Sequence, residues 1–304
     1  MDLPILYSGT SNQLLAKRVS DVLCWNMGSV EITRFIDNEC RVRVITDPNG
    51  RHVFLFQSLS QIADQHLIEL CLMSQAVRSL GARKVTAVIP WMGYSKQDKE
   101  FRKGEAVSAQ LIAKLIEVAG IDSVITIELH SENLVPFFQI PVVEITTHDL
   151  LADALKREIS ISNMIVVSPD RGGQGRSDRF AKHVDLATIY LEKKRDLLTG
   201  EVKVVGASSN VSGKEIVIFD DIINTASTAI RTSEYLKENG ADRIHFLATH
   251  AVLAGNASVN LARSPIDRVI VTDTIYVEPE KVFSKLTVIT VAPLLAEAIR
   301  KAAR

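Results

Sequence analysis

An adjacent pair of carboxylates, Asp220 and Asp221, follows a run of apolar residues in the segment EIVIFDDIINTASTAI. The residues that come after this pair are small and mostly polar: Asn224, Thr225, Ala226, Ser227 and Thr228. Carboxylates accept hydrogen bonds from vicinal sugar hydroxyls, and a helix start that carries only small side chains lets a phosphate approach its N–H groups. The segment is typical of a sugar-phosphate site, although an acidic strand end followed by a Ser/Thr helix cap has the same pattern.

Two further segments place polar residues at the ends of apolar runs. In VVSPDRGGQGR, Asp170 precedes a Gly-Gly turn at which backbone and phosphate can come close. In ITIELHSEN, Glu128 and His130 end an apolar run, and a lone histidine in this position is more often structural than a ligand. A third segment, YLEKKRD, sets Lys193 and Arg195 two residues apart after an apolar strand, which is usually a solvated strand end.

The first half of the chain contains two polar segments with a different character. In RFIDNE, Phe35 is suited to stack on a flat base while Asp37 or Glu39 accepts a hydrogen bond from its amino group. From the residues alone, a turn at a sheet edge with Phe35 in the core is the favoured alternative. The segment SKQDKEFRKGE follows an apolar strand and is typical of a solvated loop.

The elements that must position these residues alternate between short β-branched runs and longer segments with apolar residues every three or four positions. This alternation predicts an α/β protein with mainly parallel sheets flanked by helices. Strands are predicted at PILYSG, HVFLFQS, KVTAVIPW, SVITIELH, NMIVVSPD, ATIYLEK, EIVIFDD, RIHFLATH and RVIVTDT. Helices are predicted at about 12–23, 63–80, 107–118, 149–157, 226–238 and 294–303.

Both halves of the chain show this rhythm, which predicts two similar domains. A length of 304 residues also favours two domains of about 150 residues each. We expect the first to span residues 1–146 and the second 147–304. Ligands bind beyond the carboxyl ends of parallel strands, which is where the polar segments described above lie.

Together these motifs resemble the ribose-phosphate pyrophosphokinases, also called phosphoribosyl pyrophosphate synthetases, which have two domains of the type I phosphoribosyltransferase fold. VIFDDIINTAST resembles the phosphoribosyl-binding motif of that fold, and the resemblance extends from RFIDNE to VAPLLAEAI. It implies that the β,γ-diphosphate of ATP is transferred with Mg²⁺ to the anomeric hydroxyl of ribose 5-phosphate, leaving AMP. The first domain is then the ATP side and the second the ribose 5-phosphate side.

The resemblance also assigns roles to residues of this sequence. It places ATP on Phe35, Asp37, Glu39, Lys96, Gln97 and Asp98. It places ribose 5-phosphate on Asp220, Asp221, Asn224, Thr225, Ala226, Ser227 and Thr228, and the metal on His130 and Asp170. Lys193 and Arg195 become the catalytic cations, because positioned cations stabilise the negative charge that develops in diphosphoryl transfer.

The chain departs from the family pattern at several of its motifs. The family usually has Arg at position 96, Asp at 128, Gln at 133 and Asp at 143, where this chain has Lys96, Glu128, Asn133 and Val143. In the sugar-phosphate loop, Asn224 replaces an Asp and Ser227 replaces a Gly. These departures leave open a non-catalytic relative that binds synthetase subunits. A phosphoribosyltransferase is the other alternative, but it needs neither RFIDNE nor SKQD.

The overall composition bears on the classes of partner that can be expected. The chain is 46% hydrophobic and 23% charged, with a formal net charge of −1 at pH 7. Such a balance gives no support to a nucleic-acid or membrane partner, and the apolar runs are too short to cross a bilayer. The start of the chain lacks the pattern of a signal peptide, so a cytoplasmic protein is expected. The family resemblance further implies a homo-oligomer, from a dimer to a hexamer.

Overall fold

The computed structural model describes residues 3–159, 163–169, 172–195 and 202–304, of which 192–195 and 202–205 are described by their backbone alone. These residues form two compact units. The first unit comprises residues 1–146, 274–276 and 290–304, and the second comprises 147–273 and 277–289. Residues 290–304, which the sequence analysis assigned to the second domain, therefore pack within the first unit.

The strands of both units are short, as the sequence pattern predicts. They are β1 (Ile5–Ser8), β2 (Val30–Arg34), β3 (Cys40–Val44), β4 (His52–Phe56), β5 (Lys84–Ile89), β6 (Ser123–Ile127), β7 (Val142–Ile145), β8 (Met164–Ser168), β9 (Thr188–Arg195), β10 (Val202–Ala207), β11 (Glu215–Ile223), β12 (Arg243–Ala251), β13 (Arg268–Thr272) and β14 (Leu286–Ile289).

The α-helices connect most of these strands. They are α1 (Gln13–Leu23), α2 (Ala63–Ser79), α3 (Ser108–Val118), α4 (His148–Glu158), α5 (Gln174–Val184), α6 (Ser227–Glu238), α7 (Ala257–Arg263) and α8 (Ala292–Ala302). Short 3₁₀ helices span Glu132–Phe137 and Pro279–Lys281. Within the described residues, no helix is both long enough and apolar enough to cross a bilayer.

The first unit is built on a parallel sheet in the order β1-β4-β5-β6-β7. Strands β2 and β3 form a separate antiparallel hairpin, and β3 packs on α2. The apolar face of α8 supplies Leu295 and Ile299, both fully buried. This helix contacts α1, β6 and β7, which explains why the end of the chain belongs to the first unit.

The second unit is built on a sheet in the order β10-β9-β8-β11-β12-β13-β14. All its neighbours run parallel except β10, which is antiparallel to β9. Buried side chains cover both faces of the central strands, as expected for a parallel sheet flanked by helices. The predicted fold class, an α/β protein with two mainly parallel sheets, is confirmed.

The nine predicted strands and six predicted helices all occur, but the structure contains elements that the pattern missed. Helices α5 and α7 and strands β2, β3, β7, β10 and β14 were not predicted. The carboxylates Asp220 and Asp221 were expected to end their strand, whereas β11 continues through both of them to Ile223. The site residues therefore begin inside the sheet and not after it.

One aromatic pair anchors the core of the second unit. The rings of Phe180 on α5 and Phe219 on β11 stack with their centroids 4.2 Å apart, and both side chains are fully buried. Phe180→Ala should lower the free energy of unfolding by about 3–5 kcal/mol, because it removes apolar contacts and leaves a cavity. Urea denaturation followed by fluorescence or circular dichroism measures this loss.

The matched control for this substitution is Phe101→Ala. Phe101 is a large aromatic residue with 59% of its surface exposed, so its removal should change the free energy of unfolding by less than about 0.5 kcal/mol. Equal effects of the two substitutions would contradict the assignment of the Phe180 and Phe219 pair as a core anchor.

Candidate active site

The loop between β11 and α6 holds the predicted sugar-phosphate residues. Ala226 has a left-handed backbone (φ 62°) and turns the chain into the helix without a side-chain cap. The backbone oxygen of Asn224 accepts a hydrogen bond from the N–H of Ala254 (2.9 Å), which ties the loop to the segment after β12. Thr225, Ser227 and Thr228 are exposed, and the hydroxyls of Thr225 and Ser227 lie 3.1 Å apart. The start of α6 thus presents hydroxyls and N–H groups together, a suitable arrangement for an anion.

The two carboxylates of β11 share one arginine. A single guanidinium nitrogen of Arg176 lies 2.9 Å from Oδ1 of Asp220 and 2.8 Å from Oδ1 of Asp221. Asp220 also accepts a hydrogen bond from the N–H of Asp221 (2.9 Å). The side chain of Asp221 is only 1% exposed, whereas that of Asp220 is 24% exposed. Asp220 is therefore the member of the pair that a ligand can reach.

Arg176 lies in the first turn of α5, directly after the Gly-Gly turn. Because β8 and β11 are neighbours in the sheet, the turn that follows β8 brings Arg176 beside the β11 carboxylates. Sequence analysis quoted this segment but missed the arginine. One feature of the sequence could have indicated it: Arg176 is a cation shortly after β8, and β8 is the strand that pairs with β11 and its two carboxylates.

Three other predicted residues of this unit are only partly described. Asp170 lies outside the described residues. Lys193 and Arg195 lie in β9, where Lys193 pairs with Val204 and Arg195 with Val202 of β10. Strand β10 runs antiparallel to β9 and forms the edge of the sheet.

The predicted base-binding loop lies at the tip of the hairpin formed by β2 and β3. The N–H of Phe35 donates to the oxygen of Glu39 (2.9 Å), and the N–H of Glu39 donates to Oδ1 of Asp37 (3.1 Å). Phe35 is 52% exposed, so the alternative that places its ring in the core is wrong. An open surface depression of about 580 Å³ is lined by Phe35, Ile36, Asp37 and Glu39. Its walls offer an aromatic face and two carboxylates, as the base-binding hypothesis requires.

A second predicted ATP segment contacts the loop that contains His130. The side-chain amide of Asn133 donates to Asp98 (3.4 Å). Although burial favours the neutral acid, hydrogen bonds from Ser131 and Asn133 lower the pKa of Asp98. Gln97 is exposed and its side-chain oxygen accepts from the hydroxyl of Ser108, while Lys96 is half-buried. The structure therefore brings the segments SKQD and HSEN together.

His130 lies in the turn that follows β6. Glu128 in this turn has a left-handed backbone (φ 40°), and its N–H donates to the oxygen of Ile145 (3.0 Å). The N–H of Leu129 donates to the carboxylate of Glu144 (2.8 Å), and His130 itself is half-buried. Across the part of the chain that the structure describes, no group of three or more His, Cys, Asp or Glu side chains is placed to hold a metal ion.

Comparisons with known proteins match this chain over nearly its whole length. Residues 4–120 match the model of the N-terminal domain of ribose phosphate pyrophosphokinase, and residues 192–304 match the phosphoribosyl synthetase-associated domain. The ribose-phosphate pyrophosphokinase of Pasteurella multocida is 37% identical, covering 97% of this chain and 95% of that protein. The ribose-phosphate pyrophosphokinase 1 of Streptococcus pyogenes is 35% identical, covering 97% and 92%.

A solved structure shows the same relationship in three dimensions. The phosphoribosylpyrophosphate synthetase of Mycobacterium smegmatis superposes with a TM-score of 0.93 at 31% identity, and the match covers 99% of both chains. The likeness therefore includes both units and every site segment described above.

The carboxylate pair generates a pH-dependent prediction. Burial and the charge of Asp221 raise the pKa of Asp220 to about 8, against the opposing effect of Arg176. An unfolded Asp titrates near about 3.9. Between about pH 4 and pH 8 the folded protein therefore binds more protons at this group than the unfolded chain does, and this group makes folding less stable as the pH rises. Asp220→Asn removes the effect, so its melting temperature relative to wild type should increase from pH 4 to pH 8.

Arg176→Gln supplies the opposite test for the same pair. It removes the cation that offsets the two carboxylates, so its loss of melting temperature should be larger at pH 8 than at pH 4. Thermal denaturation at several pH values measures both variants. Differences that stay constant across this range would contradict the assigned titration of Asp220.

Proposed function

Because the chain belongs to the ribose-phosphate pyrophosphokinase family, we propose that it transfers the β,γ-diphosphate of ATP to the anomeric hydroxyl of ribose 5-phosphate, with AMP as the second product. The observation that carries this proposal is the match to pyrophosphokinases over 97% of the chain. The enzyme is thus a kinase-type transferase of nucleotide biosynthesis.

The sugar-phosphate side of the mechanism is divided between two kinds of group. We assign the ribose hydroxyls to Asp220, because its carboxylate is the more exposed of the pair. Asp221 is buried against Arg176, and its negative charge is paired with the positive charge of the guanidinium. The 5-phosphate binds the loop from Asn224 to Thr228, where the N–H groups at the start of α6 and the exposed hydroxyls donate to its oxygens. Both contacts orient the anomeric hydroxyl for attack.

The nucleotide side uses the two segments of the first unit. Phe35 stacks on the adenine, while Asp37 and Glu39 accept hydrogen bonds from its amino group. The segment of Lys96, Gln97 and Asp98 binds the remainder of ATP, and Asp98 is held by its contact with Asn133. Lysine at position 96 supplies the charge but not the planar, bidentate contacts of the arginine that relatives have.

Lys193 and Arg195 are proposed as the catalytic cations. Negative charge grows on the oxygens around the β-phosphorus as the diphosphate is transferred, and positioned cations stabilise it. Both residues lie in strand β9, which is paired with β10. No covalent enzyme intermediate is required, because the sugar hydroxyl attacks ATP directly.

We propose Mg²⁺ as the metal, held by His130 and Asp170 together with substrate phosphates. Mg²⁺ binds few protein ligands when phosphate oxygens complete its coordination, and a carboxylate such as that of Asp170 is the type of protein ligand that it prefers. When bound, the ion neutralises phosphate charge and orients the diphosphate. His130 is half-buried in the turn after β6. It would help to orient the metal ion and the phosphates that the ion binds.

The remaining proposals concern assembly and cellular location. We propose that the protein acts in the cytoplasm as a homo-oligomer, as the family pattern implies.

A non-catalytic regulatory subunit is the rival function, because Asn224 and Ser227 replace the usual Asp and Gly of the sugar-phosphate loop. Retention of Lys193, Arg195 and His130 supports the enzyme.

Formation of AMP decides between these functions. The pure protein should release AMP from ATP only when both ribose 5-phosphate and Mg²⁺ are present, and phosphoribosyl pyrophosphate should appear in equal amount. Chromatographic separation of the nucleotides measures the first product, and a coupled phosphoribosyltransferase assay measures the second. Folded protein that forms no AMP under these conditions would contradict the proposed enzyme function.

Lys193→Ala tests the catalytic assignment. It should lower kcat by about 100-fold or more while changing the KM of either substrate by less than about threefold, because the lost contact acts mainly in the transition state. Lys194→Ala, the neighbouring cation of the same strand, is the matched control and should retain most of the activity. An equal loss in kcat and in substrate affinity would remove Lys193 from the transition-state role.

A further inference from the structure

We propose that Glu69 is a positioning residue for the adenine nucleotide. Glu69 holds Arg34, and Arg34 in turn holds the loop of residues 34–39. Glu69 touches no part of the proposed substrates. This inference rests on the proposed function, because it concerns the loop that binds the adenine. What it adds is that a buried carboxylate, Glu69, holds the loop in its binding conformation before the nucleotide arrives.

Glu69 is a carboxylate on α2 that lies almost completely inside the protein. Its side chain is only 4% exposed. Its Oε2 accepts a hydrogen bond from the hydroxyl of Thr10 (2.6 Å) and another from the amide of Gln57 (2.8 Å). A buried carboxylate is costly unless it is hydrogen-bonded and paired with a cation. The donors on one oxygen therefore fix Glu69 firmly and leave the other oxygen available.

The donors themselves are held in place by tight packing. The amide oxygen of Gln57 accepts from the N–H of Ser11 (3.1 Å), and its nitrogen also donates to the oxygen of His66 (3.2 Å). A Cβ added at Gly9 would lie 2.4 Å from the amide oxygen of Gln57. The approach of Gln57 to this turn thus requires glycine, and Glu69 is fixed within a rigid setting.

The other oxygen of Glu69 is directed to the hairpin. A guanidinium nitrogen of Arg34 lies 3.4 Å from Oε1 of Glu69. The second guanidinium nitrogen of Arg34 donates to the backbone oxygen of Asn38 (3.0 Å). Asn38 has a left-handed backbone (φ 69°) and forms the turn of the loop. Arg34 therefore joins a fixed carboxylate to the turn on which Phe35, Asp37 and Glu39 depend.

The tip of the hairpin has little packing of its own to maintain this shape. Phe35 is 52% exposed and Ile36 is fully exposed. A loop that must be ordered when it binds a ligand loses affinity to that ordering. The contact between Glu69 and Arg34 reduces the loss by holding the turn before the nucleotide arrives.

Binding of AMP to the full-length protein tests this inference without requiring turnover. Calorimetry should show that Glu69→Gln and Arg34→Gln each weaken AMP binding by about tenfold, the change expected when a charge-assisted hydrogen bond is lost. The double variant should bind no more weakly than Arg34→Gln alone, because Glu69 acts through Arg34. The KM for ribose 5-phosphate should change by less than about twofold, and Arg34→Lys should restore part of the affinity.

A matched control lies on the same hairpin. Arg43 and Glu31 form an exposed ion pair with a distance of 3.6 Å, and Arg43→Gln should leave AMP affinity unchanged. If Glu69→Gln fails to fold, Arg34→Gln and its lysine rescue carry the test. Unchanged AMP affinity in Glu69→Gln, additive losses in the double variant, or equal losses toward both substrates would each overturn the inference. Wild-type protein that binds no AMP would instead overturn the proposed function and this inference with it.

Discussion

The contact of Arg176 with Asp220 and Asp221 is the interaction on which the proposed sugar-phosphate site depends. Two adjacent carboxylates inside a sheet disfavour each other's ionisation, and a nearby cation offsets part of that cost. Arg176 supplies a cation at the start of α5, which follows β8, and β8 is the sheet neighbour of β11. The order of the strands is therefore a requirement of the site, because another neighbour would leave the carboxylates without Arg176.

The first unit solves a similar problem with different residues. Glu69 contacts the hairpin of β2 and β3 through Arg34, and Asp221 precedes the loop of residues 224–228; each of these carboxylates is almost fully buried. An arginine contacts each of them, Arg34 for Glu69 and Arg176 for Asp221. In both places a buried carboxylate pairs with an arginine beside a loop that is proposed to bind a ligand. Exposed loops gain a defined conformation in this way without a large apolar core of their own.

The elements and site residues that could be predicted are those whose sequence pattern is contiguous in the chain. Helices α1, α2 and α6 were predicted from apolar periodicity, because each buries one continuous face. Helix α5 was missed because its sequence, QGRSDRFAKHV, is dominated by polar and charged residues. Strands β7 and β14 have four residues each and no fully buried side chain, whereas β1, which also has four residues, is a buried apolar run that the pattern reveals. The sugar-phosphate loop was found because its residues are contiguous. Arg176 and Glu69 were missed because their partners lie 44 and 35 positions away in the chain.

The backbone of the loop of residues 224–228 shows how far its departures from the family pattern affect its structure. Ser227 replaces a glycine, but it is exposed in the first turn of α6, where a side chain meets no conformational penalty. The demanding position is Ala226, whose left-handed backbone carries a Cβ at a cost of roughly 1–2 kcal/mol. The hydroxyl of Ser227 lies beside that of Thr225 and enlarges the set of donors available to a phosphate. Asn224 is anchored through its backbone oxygen, so its change from Asp leaves the loop anchor intact and alters only the charge beside the sugar. The departures therefore change the electrostatics of the loop and not its construction.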